Sequence, residues 1–223
     1  MTNPLLMHEL FPLEELGAPD QIPPIESHPT LPCACMHVGY VAISRLQAMK
    51  IDDVSHSLDE LHLALTDAGK IMNCLVCPKD ILTAQQNINS LSSLFVTIVD
   101  SLRRNVCHFD ELTRTESSPP AMFPSQDLSQ QAMTGVEYRI FVRNTLRAEI
   151  VGSPDDTSQN TLLGLMNFWE KRQEAWHQSP DYYDQQVKMF GQRATMKGTT
   201  DKESRFCFRA FCLVKEAIEQ LDM

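Results

Sequence analysis

From Cys35 to Leu102 the apolar residues recur in steps of three and four, the spacing that collects side chains on one face of a helix. Cys35, Val38, Val41, Ala42, Leu46 and Met49 form the first such face, and Asp52, Asp53 and Ser55 interrupt it. Leu58, Leu61, Leu65, Ala68 and Met72 form the second. Ser57 is its expected N-cap and Glu60 completes a capping box, in which two side chains satisfy amides left over at the helix start. Pro78 suits the first turn of a third helix, where a missing amide hydrogen costs nothing.

The third helix carries the clearest pattern. Ile81, Ala84, Ile88, Leu91, Phe95, Ile98 and Leu102 follow one another in alternating steps of three and four, a heptad-like seam for helix packing or for an interface. Burial inside the chain's own bundle is favoured over a homodimer or partner-helix interface, because ordinary globular helices carry such stripes and this one is short for a coiled coil. The Leu58–Met72 stripe is the expected cover.

Residues 111–131 break the pattern with a cluster that includes Ser117, Ser118, Pro119, Pro120, Pro124 and Ser125, and are read as a linker. Beyond it, Val136, Tyr138, Ile140 and Val142 alternate like a strand, yet the run from Asn144 to Ile150 suits a helix, and the whole is read as helical. Leu162, Leu165, Met166, Trp169, Gln173 and Trp176 share one face of a helix that Pro180 is expected to close. A last helix follows Asp201, with Phe206, Ala210, Leu213, Val214, Ala217 and Leu221 expected inside. The fold class is therefore all-α, an irregular bundle of six or seven helices, with helical regions at 33–110 and 132–223.

Charge changes the picture chiefly at the N-terminus. Residues 1–32 hold seven of the 13 prolines and five acidic residues without a lysine or arginine, half of the formal net charge of -10. Prolines so dense exclude a long helix, and the arm is expected to be disordered. Its alternation of acidic with bulky residues marks Leu10, Phe11, Leu13 and Leu16 as a candidate activation segment that docks into a partner's groove. Folding back onto the body as a short helix is the equal alternative. No basic run exists to neutralise phosphates, so direct nucleic-acid binding is not expected. No apolar run long enough for a membrane span and no secretory leader is read, so a membrane location is not expected.

Candidate chemistry is sparse. There is no nucleophile elbow, phosphate loop, dinucleotide fingerprint or zincin helix, and no enzyme is expected. Seven cysteines, an odd number irregularly spaced, point to a reducing compartment. Cys74 and Cys77 have the spacing of two metal ligands, but a single residue separates Cys33 from Cys35, which makes joint ligation awkward. All four are therefore expected to be small buried hydrophobes, with neither metal nor other cofactor. Asp52 and Asp53 are expected to cap a helix. Arg139, Arg143 and Arg147 fall four apart, as a solvent-facing charged row or a grip on an acidic partner.

Residues 35–105 resemble the regulatory region of fungal zinc-cluster transcription regulators of the aflatoxin regulatory protein family. The resemblance rests on Cys35-Met36 opening a helix that carries Leu46, on Leu58 starting a helix that ends in Cys74-Leu75-Val76-Cys77-Pro78, and on the leucine-rich helix to Leu102. Gly135-Val136-Glu137-Tyr138 is similar to a short motif that follows in that family. The family's six-cysteine DNA-reading cluster has no counterpart in residues 1–32. The resemblance thus implies a nuclear regulator of secondary-metabolite genes without that cluster, or one whose cluster is encoded upstream. Its partners would be proteins, a DNA-binding regulator or the transcription machinery. A cytoplasmic helical scaffold unrelated to transcription is the alternative.

Overall fold

The structure is a computed structural model that describes residues 33–77, 80–115, 134–191 and 205–221. Among these residues there are seven α-helices and no strand, as the periodicities require. They are α1 (Cys35–Ala48), α2 (Val54–Met72), α3 (Ile81–Thr115), α4 (Gly135–Leu146), α5 (Leu162–His177), α6 (Pro180–Phe190) and α7 (Phe206–Glu219). A π-helical turn, Arg147–Val151, continues α4. Leu10, Phe11, Leu13 and Leu16 lie outside the described residues, as does most of the segment read as a linker.

The start of α2 differs from the expectation. Asp53 is the N-cap, its carboxylate accepting from the His56 amide at 3.2 Å, so the helix begins at Val54 and Ser57 falls one turn inside it, fully buried. The capping box is at α4 instead. There the Thr134 hydroxyl accepts from the Glu137 amide, and the Glu137 carboxylate accepts from the Thr134 amide at 2.8 Å. Pro180 opens α6 rather than merely ending α5, with Ser179 accepting from the Tyr182 amide. In α7, Leu213 faces solvent, 63% exposed, while Phe208 and Phe211 turn inward.

α3 is the central element, 35 residues long and packed against α1, α2, α4 and α7. It runs on to Thr115, past the expected start of the linker. Ile88, Leu91, Phe95, Ile98 and Leu102 are buried in this chain's own core, whereas Ile81 and Ala84 are only half-buried. Leu94, Val99, Val106 and Phe109 are buried as well, so the apolar face is broader and longer than a two-position seam. That width is what a helix surrounded by neighbours needs.

α5 and α7 close the far side. Trp169, fully buried, lies 5.7 Å from the Phe95 ring and 6.0 Å from the Phe211 ring, joining α3, α5 and α7 through tilted and edge-on contacts. Arg143 holds α4 to α3 through Asp110, with Nη2 at 2.7 Å from a carboxylate oxygen. The arginine row is thus tied at its middle to the chain's own acid.

Gly39 sets the crossing of α1 and α3. A Cβ there would come within 2.2 Å of the Ser90 hydroxyl and 3.4 Å of Ile71. An added side chain would force the Ser90 hydroxyl to rotate out of this contact and crowd Ile71. One turn before Gly39 stands Cys35, so this close approach also fixes where the first turn of α1 lies.

Candidate functional site

The start of α1 meets the turn between α2 and α3. Cys33 precedes α1 and Cys35 is its first residue, while Cys74 and Cys77 follow the last turn of α2. The turn is held from three sides. The Asn87 amide of α3 donates to the Ile71 carbonyl at 3.0 Å, the Arg172 guanidinium of α5 donates to the Met72 carbonyl, and the Asn73 side chain donates to Gly69 at 2.9 Å. The Thr83 hydroxyl donates to the Cys77 carbonyl at 2.8 Å. The Gly69 and Ile71 carbonyls also accept from the Asn73 and Cys74 amides, so the side chains add second bonds where α2 ends.

As a result the sulfurs of Cys33, Cys35, Cys74 and Cys77 all lie within 4.8 Å of one another. Cys33 Sγ is 3.0 Å from Cys77 Sγ and 3.5 Å from Cys74 Sγ. The four thiols converge even though a single residue separates Cys33 from Cys35. Cys33 sits outside the helix and Cys35 in its first turn, and the bend between them turns both thiols toward the same point. Cys35 and Cys77 are buried and Cys33 and Cys74 half-buried.

The four thiols are not equivalent. Burial pushes Cys35 well above the ordinary thiol range, with the neighbouring cysteines adding to it. Burial and the facing Cys33 thiol push Cys77 up to about 12. Burial acts in the same direction on Cys74, but hydrogen bonds from the Cys77 and Val76 amides, with help from the Cys35 and Cys33 thiols, bring it down to about 6. Main-chain amides thus point at two of the sulfurs, Val76 N–H to Cys74 at 3.4 Å and Cys35 N–H to Cys33 at 3.4 Å. Arg172 is close enough for its charge to be felt at Cys77, Cys74 and Cys35. Low-pKa thiols in electropositive surroundings are the reactive and ligating ones.

Comparison with known proteins bears on the helical body as a whole. The chain is 28% identical over 173 residues to the transcription factor rglT of Emericella nidulans, covering 73% of this chain and 40% of the relative. It is 29% identical over 157 residues to the transcription factor rglT of Aspergillus fumigatus, covering 66% of this chain and 38% of that relative. The chain is similar to fungal transcription factors. It spans about two-fifths of the length of these curated relatives. No protein-family model matches it, and no solved structure does.

A second pair of groups, missed by the sequence reading, joins α5 to α7. His177 Nε2 lies 2.9 Å from Cys207 Sγ, with the His177 ring edge-on to Tyr182 at 4.5 Å. Burial and the nearby Arg205 charge hold His177 down at about 4, and burial pushes the Cys207 thiol up. Both groups are neutral near pH 7. A nucleophilic cysteine paired with histidine needs the thiolate form, which this environment disfavours, so the contact packs two helices together.

Proposed function

We propose that the chain is a nuclear transcription-regulatory protein that acts through protein partners on genes of secondary metabolism. The observation that carries this reading is the similarity to proteins named as transcription factors over about two-thirds or more of the chain. The resemblance of residues 35–105 to the aflatoxin regulatory protein family supplies the link to secondary metabolism. Charge favours partners over DNA, because a formal net charge of -10 repels phosphate. Met36 and Tyr40, 57% and 71% exposed one turn apart on α1, offer apolar surface to a partner.

Transcript profiling of cells that lack the chain tests the proposal. A coordinated change in one set of biosynthetic genes, restored when the chain is returned and a fluorescent fusion collects in the nucleus, is the expected result. An unchanged transcript profile, or a fusion confined to the cytoplasm, would speak for the scaffold reading instead.

A further inference from the structure

We propose that Cys33, Cys35, Cys74 and Cys77 bind one zinc ion in a four-thiolate site that pins the start of α1 to the turn between α2 and α3. The proposal stands independently of the role in transcription.

Geometry is the first support. Sulfurs placed about 2.3 Å from a central ion at the corners of a tetrahedron are about 3.8 Å apart. The four sulfurs lie within 4.8 Å of one another, with two separations at 3.0 and 3.5 Å, so changes in spacing of no more than about 1 Å, within reach of side-chain rotation, separate them from that arrangement. The donor set is the second. Four soft sulfurs without an oxygen ligand select a thiophilic ion and discriminate against magnesium or calcium.

Three further features support the site. The amides of Cys35 and Val76 donate to the sulfurs two residues before them, Cys33 and Cys74, and so stabilise negative charge on one thiolate of each pair. Four thiolates around a divalent zinc leave a net charge of about -2, and Arg172, half-buried and tied to the Met72 carbonyl, is placed to offset part of it. The ligands are also held in advance, by Gly39 at the α1–α3 crossing and by Asn87 and Thr83 of α3 on the turn. A site assembled by the fold in this way binds without the cost of ordering loose loops.

Binding replaces the thiol protons by the metal, so protons pass to the buffer and no electrons move. The ion crosslinks segments about forty residues apart, and its loss should loosen α1 from the body.

The test is a cobalt(II) titration of the full chain, reduced and stripped of metal, followed by zinc. One equivalent of cobalt should give the intense charge-transfer and d–d absorption of tetrahedral thiolate coordination, and zinc should abolish it. Protein isolated from cells under reducing conditions should carry one zinc per chain by elemental analysis. Cys33→Ser and Cys74→Ser should each weaken cobalt binding by at least about tenfold. A variant with both exposed cysteines replaced, Cys107→Ser with Cys212→Ser, should bind as the wild type does. Absence of the thiolate spectrum in folded, reduced wild type would overturn the proposal, and so would a spectrum unchanged by Cys33→Ser. A metal-free protein from cells whose trapped thiols show Cys33 joined to Cys74 or Cys77 would replace it with a disulfide. Should the serine variants not fold, the wild-type titration alone decides.

Discussion

Leu91→Asp is expected to abolish the cooperative folding of the helical body. Leu91 is fully buried at the middle of the Ile81–Leu102 seam of α3, with α1, α2, α4 and α7 packed around that helix. Removing its side chain from the core forfeits roughly 1.5–3 kcal/mol of burial. A carboxylate left there unpaired adds a penalty of several kcal/mol. The sum rivals the roughly 5–15 kcal/mol that separates an ordinary domain from its unfolded chain. Val96→Asp is the control, because Val96 is 48% exposed on the same helix and a surface change of this kind stays within about 0.5 kcal/mol. Circular dichroism melts should show no transition for Leu91→Asp and a near wild-type one for Val96→Asp. A Leu91→Asp protein that melts cooperatively but has lost a concentration-dependent dimer in sedimentation would instead make the seam an interface between copies.

Acid should weaken the chain through His177, with a sign fixed by burial. Its imidazole is held at about 4 in the fold against an ordinary 6.5, by burial and then by the Arg205 charge. The unfolded chain therefore binds a proton that the folded chain refuses. The contribution of neutral His177 is fully present above about pH 6.5, declines as the pH falls from there, and is gone below about pH 4. At about 1.4 kcal/mol for each tenfold change in proton affinity, it amounts to at most about 3.5 kcal/mol. Carboxylates titrate near the lower end of that window, so the comparison must be with His177→Gln. Urea melts at stepped pH should show the stability difference between wild type and variant shrinking on acidification. A difference independent of pH between about 7 and 4 would show that His177 titrates normally.

Helix positions could be read from the sequence wherever one face is apolar, because the 3.6-residue period leaves its mark directly on the chain. The exceptions have local causes. Ser57 with Glu60 fits the capping-box signature, but Asp53 lies four residues earlier and takes the His56 amide, leaving the serine inside. Pro180 is compatible with the end of one helix and the first turn of the next, and only the Ser179 cap distinguishes them. The segment after residue 134 alternates like a strand, yet Thr134 and Glu137 carry the true capping signature, a signal that outranks four alternating residues. In α7 the apolar residues are too many for one face, so their number could not say that Phe208 and Phe211 go inside and Leu213 outside.

The cysteine cluster was legible only as two pairs. Spacing speaks to ligands on one segment, and the distance between segments depends on packing. Here it depends on Gly39 admitting Ser90 of α3 and on Asn87 and Arg172 gathering the end of α2. None of these has a sequence signature. The His177–Cys207 contact was hidden for the same reason, since thirty residues and another helix lie between the two.

The most direct test of the regulatory role is a reporter assay in a fungal cell with the chain fused to an unrelated DNA-binding domain. A protein that regulates transcription through partners should change reporter output severalfold when tethered. The unfused chain should have no effect at that promoter, and the Leu91→Asp fusion, lacking a folded body, should have none either. A wild-type fusion that is intact and nuclear, yet leaves the reporter at the level set by the DNA-binding domain alone, would contradict the account.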